Sequence, residues 1–148
     1  MFFPRRLLII DDEPRLTALV RDAFASTGRY LIKEENRSLR ALHSARHFQP
    51  DIILLDVMMP ELDGREVARQ LRDDPALHDV PIVFVTSLAA NGVIGSVGCF
   101  GDYSFVSTPF PTPHLISRLV SLPATGGVLR VGHTRLRIPL PSLCAYAA

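Results

Sequence analysis

Short, uninterrupted apolar runs punctuate the chain: Leu7-Leu8-Ile9-Ile10, Ile52-Ile53-Leu54-Leu55, Ile82-Val83-Phe84-Val85 and the shorter Phe105-Val106. Runs of this length bounded by polar residues predict strands buried on both faces, as in a parallel sheet covered by helices. Tyr30–Lys33 adds one more short strand. Between the strands the period changes. Pro14 to Thr27 carries Leu16, Leu19, Val20, Ala23 and Phe24 at helical spacing, with Pro14 in the first turn and Gly28 as a stop. Ser38 to Phe48 would turn Leu39, Leu42, Ala45 and Phe48 inward and ends at Gln49-Pro50; Gly64 to Arg72 does the same with Val67, Ala68 and Leu71; Thr112 to Leu122 is the last helix. Strand and helix in regular alternation predict right-handed βαβ units, hence a doubly wound α/β fold on a parallel sheet.

Two stretches depart from the alternation. From Asn91 to Gly101, where a fourth helix is expected, glycines recur at 92, 95, 98 and 101. Each interior glycine costs a helix about 0.8–1.0 kcal/mol relative to alanine, so the pattern predicts a Gly-rich loop with at most one helical turn. After Pro123 the composition shifts. Ala124-Thr125-Gly126-Gly127 reads as a joint, and Val128 to Ile138 alternates apolar and basic residues around Gly132-His133, the pattern of a hairpin. The expected organisation is a domain over residues 1–122 and an extension over 123–148.

With 148 residues the chain has room for one domain with a substantial core. Its formal net charge of +1 supplies no field to steer it to nucleic acid or an acidic membrane. The two cysteines, Cys99 and Cys144, have neither metal-binding nor redox spacing. No apolar run approaches the ~18 residues of a membrane span, and the N-terminus lacks a signal-peptide pattern, so a cytoplasmic location is expected.

The candidate chemistry lies where the strands end. Asp11 and Asp12 follow the first apolar run and Asp56 follows Leu55. These exits meet at the carboxyl edge of the sheet, where open α/β folds place their ligands. Taken singly, an aspartate after a strand also serves as a helix cap, Asp12 before Pro14 especially. Three together repel one another, and a hard divalent cation such as Mg²⁺ is the natural neutralising partner. The five histidines show no spacing that converges on these acids.

The chain resembles the receiver domain of bacterial two-component response regulators over roughly residues 5–122. The resemblance is carried by Leu8-Ile9-Ile10-Asp11-Asp12-Glu13-Pro14, by Asp51-Ile52-Ile53-Leu54-Leu55-Asp56-Val57-Met58-Met59-Pro60 with Asp63-Gly64, and by Pro81-Ile82-Val83-Phe84-Val85-Thr86-Ser87. It implies a five-stranded, flavodoxin-like parallel sheet in order 2-1-3-4-5. It also implies Asp56 as phosphoacceptor for a histidine kinase or phosphotransfer protein, with Mg²⁺ held by Asp12, Asp56 and the main-chain carbonyl of Met58, and by Asp11 through water. Thr86 corresponds to the switch hydroxyl and Phe105 to the switch aromatic, although the two also read as a strand end and a core residue.

One departure stands out. Receivers carry a lysine before the proline that follows the fifth strand; here Thr108 precedes Pro109-Phe110. A threonine offers one neutral hydrogen bond where the lysine offers a charge-assisted one, roughly twice as strong. The acids then lack their built-in cation, and apo Asp56 is expected to hold a raised pKa. Arg65, at the start of the third helix, is expected to face solvent. Met58 and Leu88, at positions that help place the hydrolytic water in receivers, are poor partners for it, which implies slow loss of the phosphoryl group. The Gly-rich segment falls on a surface that receivers use to dimerise or dock; a homodimer stays open, as does an unnamed downstream protein, while nucleic acid is not an expected partner.

The leading expectation is therefore a non-enzymatic, phosphorylatable switch that signals by partner binding. A pseudo-receiver, an interaction module not controlled by phosphate, is the alternative. A Mg²⁺-dependent phosphohydrolase would need a general acid near Asp56, and Val57-Met58 supplies none.

Overall fold

In the computed structural model, residues 3–85 are described in full, and Thr86 and the strands at 97–100, 103–107, 128–131 and 134–137 as backbone. The elements are β1 (Arg5–Ile10), α1 (Pro14–Ala25), β2 (Tyr30–Glu35), a 3₁₀ turn (Ser38–Arg40), α2 (Ala41–Phe48), β3 (Ile52–Asp56), α3 (Gly64–Asp73), β4 (Ile82–Thr86), β5 (Val97–Phe100), β6 (Tyr103–Ser107), β7 (Val128–Val131) and β8 (Thr134–Arg137).

The main sheet has the order β2-β1-β3-β4-β6-β5. Its first five strands are parallel, and β5 pairs antiparallel with β6 at the edge. The doubly wound parallel α/β fold is thus present, with β6 in the place of the expected fifth strand. The addition is β5. Part of the segment expected to be a loop is a strand, while residues 91–96 and 101, like the helix expected over 112–122, lie outside the described residues. The glycine count argued against a helix. It left open the unpaired N–H and C=O groups along β6, which another extended segment can satisfy. A second sheet joins β7 to β8, with Leu129 opposite Leu136 and Arg130 opposite Arg135, as the alternation predicts.

Strict alternation along each apolar run divides the core in two. Leu8, Ile10, Ile53, Leu55, Ile82 and Phe84 pack with Ala41 and Ala45 of α2 and Val67, Ala68 and Leu71 of α3. Leu7, Ile9, Ile52, Leu54, Val83 and Val85 pack on the other face with Val20 and Phe24 of α1. Successive strand side chains point to opposite faces, so only a continuous apolar run fills both layers.

Three expectations need correction. Leu39, expected to turn inward, is 59% exposed, and Leu19, at helical spacing in α1, is 60% exposed. The Ser38–Phe48 helix starts as a 3₁₀ turn and becomes α-helical only at Ala41. In a tight turn of three residues the α-helical period no longer applies, so the spacing of Leu39 misstates its direction. The second strand also runs past Lys33 to Glu35, because Ile9 and Ile10 of β1 continue the pairing to Glu34 and Glu35. Glu35 is buried there, with Oε2 accepting from Ser44 Oγ and Oε1 from Arg37 N (3.0 Å).

Candidate functional site

The chain crosses from one side of the sheet to the other between β1 and β3, which are neighbours. Ile10 lies opposite Leu55, so Asp11 leaves the sheet level with Asp56. This is the switch point at which a crevice opens beyond the strands. Asp11, Asp12 and Asp56 each present a carboxylate oxygen there, all within 4.8 Å of one another. Asp11 is buried, Asp12 exposed and Asp56 half-buried.

Local bonds hold each acid. The Asp11 carboxylate accepts from Glu13 N at 2.9 Å, an Asx turn that starts the entry to α1. The N-cap of α1 is Glu13, with no side-chain cap bond, so neither Asp11 nor Asp12 is occupied as a helix cap. Asp56 Oδ1 faces Met58 N at 3.4 Å, a long contact. Behind it, Gly64 N donates to Val57 O at 2.8 Å. A Cβ on Gly64 would stand 2.0 Å from the Asp56 carbonyl oxygen, so α3 can start this close to β3 only with glycine.

Burial is the main force on both inner acids. It raises the Asp56 pKa from 3.8 to about 6, with the charges of Asp11 and Asp12 adding to it and the N–H groups of Met58 and Val57 opposing it. Asp11 is raised too, first by burial and then by Asp12 and Glu13, against the bond from Glu13 N. Such a cluster suits a small, hard cation. Oxygens on opposite sides of Mg²⁺, bound at ~2.0–2.1 Å, stand about 4.2 Å apart, which three oxygens within 4.8 Å accommodate.

Of the other expected residues, Thr86 closes β4 beside Ser107, one residue beyond the pair Asp56–Val85. Phe105 lies opposite Phe84 in β6. Thr108 and Leu88 lie outside the described residues. Met58 is 57% exposed on the β3–α3 loop. Arg65 turns away, as expected: its guanidinium forks onto Asp63 with two contacts of 3.1 Å, and its backbone N–H donates to Asp63 Oδ1 at 2.7 Å. That bond makes Asp63 the N-cap of α3.

The sequence reading overlooked Asn36 and Ser38. Asn36 Nδ2 donates to the Asp11 carbonyl oxygen at 2.8 Å and to Thr17 Oγ1 at 3.1 Å. Ser38 Oγ donates to Pro60 O at 2.9 Å and accepts from Leu62 N at 3.2 Å. Their one signal was position: polar residues directly after a strand, on the same sheet edge as the acids.

Fold, switch-point site and acid cluster together define a receiver, and comparison with known proteins agrees. Residues 7–120 match the response regulator receiver domain, and the chain belongs to that family. The polar-differentiation response regulator DivK of Brucella anthropi is 33% identical over 118 residues, 80% of this chain and 95% of DivK. DivK of Brucella ovis is 32% identical over 117 residues, 79% of this chain and 94% of that protein. Among solved structures, the receiver domain of a Pseudomonas aeruginosa sensor histidine kinase, with magnesium coordinated in its active-site cleft, superposes with a TM-score of 0.65 at 23% identity, covering 80% of this chain and 95% of that one. The receiver domain of Francisella response regulator 1452 gives 0.64 at 20% identity, covering 78% and 93%. The chain is thus a receiver domain of two-component signalling. No helix among its described residues is long and apolar enough to cross a membrane.

Proposed function

We propose that this receiver is switched by phosphorylation of Asp56, with a histidine kinase or phosphotransfer protein as donor, and that it signals by binding a downstream protein in the cytoplasm. The observation that carries this reading is the meeting of Asp11, Asp12 and Asp56 at the switch point, all within 4.8 Å, with Asp56 half-buried between β1 and β4.

In this reading an Asp56 carboxylate oxygen attacks the phosphorus of a phosphohistidine. The new O–P bond forms as the N–P bond breaks, and the imidazole leaves with the electron pair. Asp11, Asp12, Asp56 and the Met58 carbonyl would hold Mg²⁺, which supplies the counter-charge and alignment that transfer between anions requires. With a pKa of about 6, Asp56 is mostly ionised at neutral pH and able to act as the nucleophile. Thr86, at the end of β4, would turn its hydroxyl to the phosphoryl group, and Phe105 would report that turn along β6. Thr108 in place of lysine weakens the pull on the loop that follows, and this favours the second reading, a pseudo-receiver with a metal pocket and no phosphate control.

Intact-mass spectrometry after incubation with Mg²⁺ and acetyl phosphate tests the choice. The expected result is a gain of one phosphoryl group, absent in Asp56→Ala. Folded protein that binds Mg²⁺ and gains none would make the chain a pseudo-receiver.

A further inference from the structure

We infer that the β2–α2 connection is a brace that sets the separation of the two lips of the acid pocket, with Asn36 and Ser38 as its positioning residues. The inference rests on the reading of the pocket as a Mg²⁺ site. One lip is the β1–α1 turn with Asp11 and Asp12; the other is the β3–α3 loop with Asp56 and Met58. Asp11, Asp12 and Met58 lie beyond the strand ends and Asp56 is the last residue of β3, so the sheet ladder alone does not fix the two lips.

Asn36 grips the first lip. Its Nδ2 bridges the Asp11 carbonyl oxygen (2.8 Å) and Thr17 Oγ1 (3.1 Å), and Thr17 Oγ1 in turn donates to Pro14 O at 3.1 Å. A carbonyl oxygen can only accept, so the amide group facing it must be the NH₂ end. The Asp11 backbone is thereby tied to the first turn of α1, and Asp11 N donates to Glu35 O at 3.2 Å as a second tie to β2. Thr17 is fully buried, so this anchor does not yield to water.

Ser38 grips the second lip from two residues away. Ser38 is 3% exposed, and its hydroxyl donates to Pro60 O and accepts from Leu62 N, clasping the loop where Glu61 takes a positive φ of 69°. Buried Glu35 fixes the brace itself, accepting from Arg37 N and from Ser44 Oγ of α2. A run of four residues, Glu35 to Ser38, therefore bonds both lips and the helix behind them. Groups that orient metal ligands from behind are typically worth about 10–100-fold in metal affinity.

The test is a Mg²⁺ titration of the full chain, followed through the backbone amide resonances of Asp12, Glu13 and Val57, with thermal melts of the metal-free proteins alongside. Asn36→Ala and Ser38→Ala are expected to weaken Mg²⁺ binding roughly tenfold, the low end of that range. Thr17→Val, which removes the anchor and keeps the shape, should weaken it as well. Thr17→Ser, which keeps the hydroxyl, should restore wild-type affinity, and Leu39→Ala, an exposed neighbour in the same turn, should leave affinity unchanged. Variants that lose melting temperature but bind Mg²⁺ like the wild type would overturn the brace and spare the metal site. Wild-type protein that takes no Mg²⁺ would overturn both.

Discussion

Asp56 is where burial and charge meet, and its titration has a definite sign. Its pKa is 3.8 when free and about 6 in the fold, so between these values the native state holds a proton that the unfolded chain has lost. The stability of the metal-free protein should fall as pH rises through that window and level off above it. Asp56→Asn removes the strained charge and should stabilise metal-free protein at pH 7 by about 1–2 kcal/mol, allowing for partial exposure, with no gain below pH ~4. Melting curves across pH on both proteins check this. At the proposed Mg²⁺ site protons and metal would compete for the same oxygens, so metal affinity should weaken as pH drops below about 6. In the proposed switch, two residues the sequence singles out would act on phosphate lifetime. Met58 is exposed beside Asp56, and neither its side chain nor the leucine of Leu88 carries a good hydrogen-bonding group for water, so phospho-Asp56 should persist for minutes or longer; decay within seconds on intact-mass analysis would refute that. With Thr108 at the position of the receiver lysine, as the resemblance implies, Thr108→Lys should pull the apo Asp56 pKa down, readable by carboxyl-carbon NMR.

At the scale of elements, the start of α3 is a tight joint beside the site. A Gly64→Ala methyl would meet the Asp56 carbonyl oxygen at 2.0 Å, and that oxygen belongs to the main chain, which moves only with β3. Overpacking of this kind costs about 1–3 kcal/mol or more, so Gly64→Ala should lower the denaturation midpoint and shift the Asp56 resonances together. Serine in its place would do the same, since the clash is at Cβ. The elements also show where periodicity could and could not be read. Val67, Ala68 and Leu71 of α3 lie inward as their spacing predicts. Leu19 and Leu39 do not. Spacing gives a direction only relative to a known face and a true α-helical period. Leu19 sits at the margin of the α1 stripe that Val20 and Phe24 centre, and Leu39 sits in a 3₁₀ turn.

For the whole molecule, the main sheet carries both cores, and among the described residues β7 and β8 pair with each other in a separate two-stranded sheet. We expect truncation after residue 122 to leave Mg²⁺ binding intact, as a metal titration of the shortened chain would show; loss of binding would make the extension part of the domain. What the amino-acid order determined on its own is the alternation of elements, the parallel sheet and the location of three carboxylates at strand exits. Those follow from local period and punctuation, which a linear chain carries in full. The residues of the acid cluster were legible for the same reason, as each directly follows a buried strand. Only the tertiary structure decided the rest. The register of Ile10 on Leu55 sets the acids at one level, and burial lifts the Asp56 pKa. The contacts of Asn36 and Ser38 join segments 25 and 22 residues apart. Distances, burial and bonds across the sheet depend on which strands become neighbours, and no residue's own position in the chain encodes that.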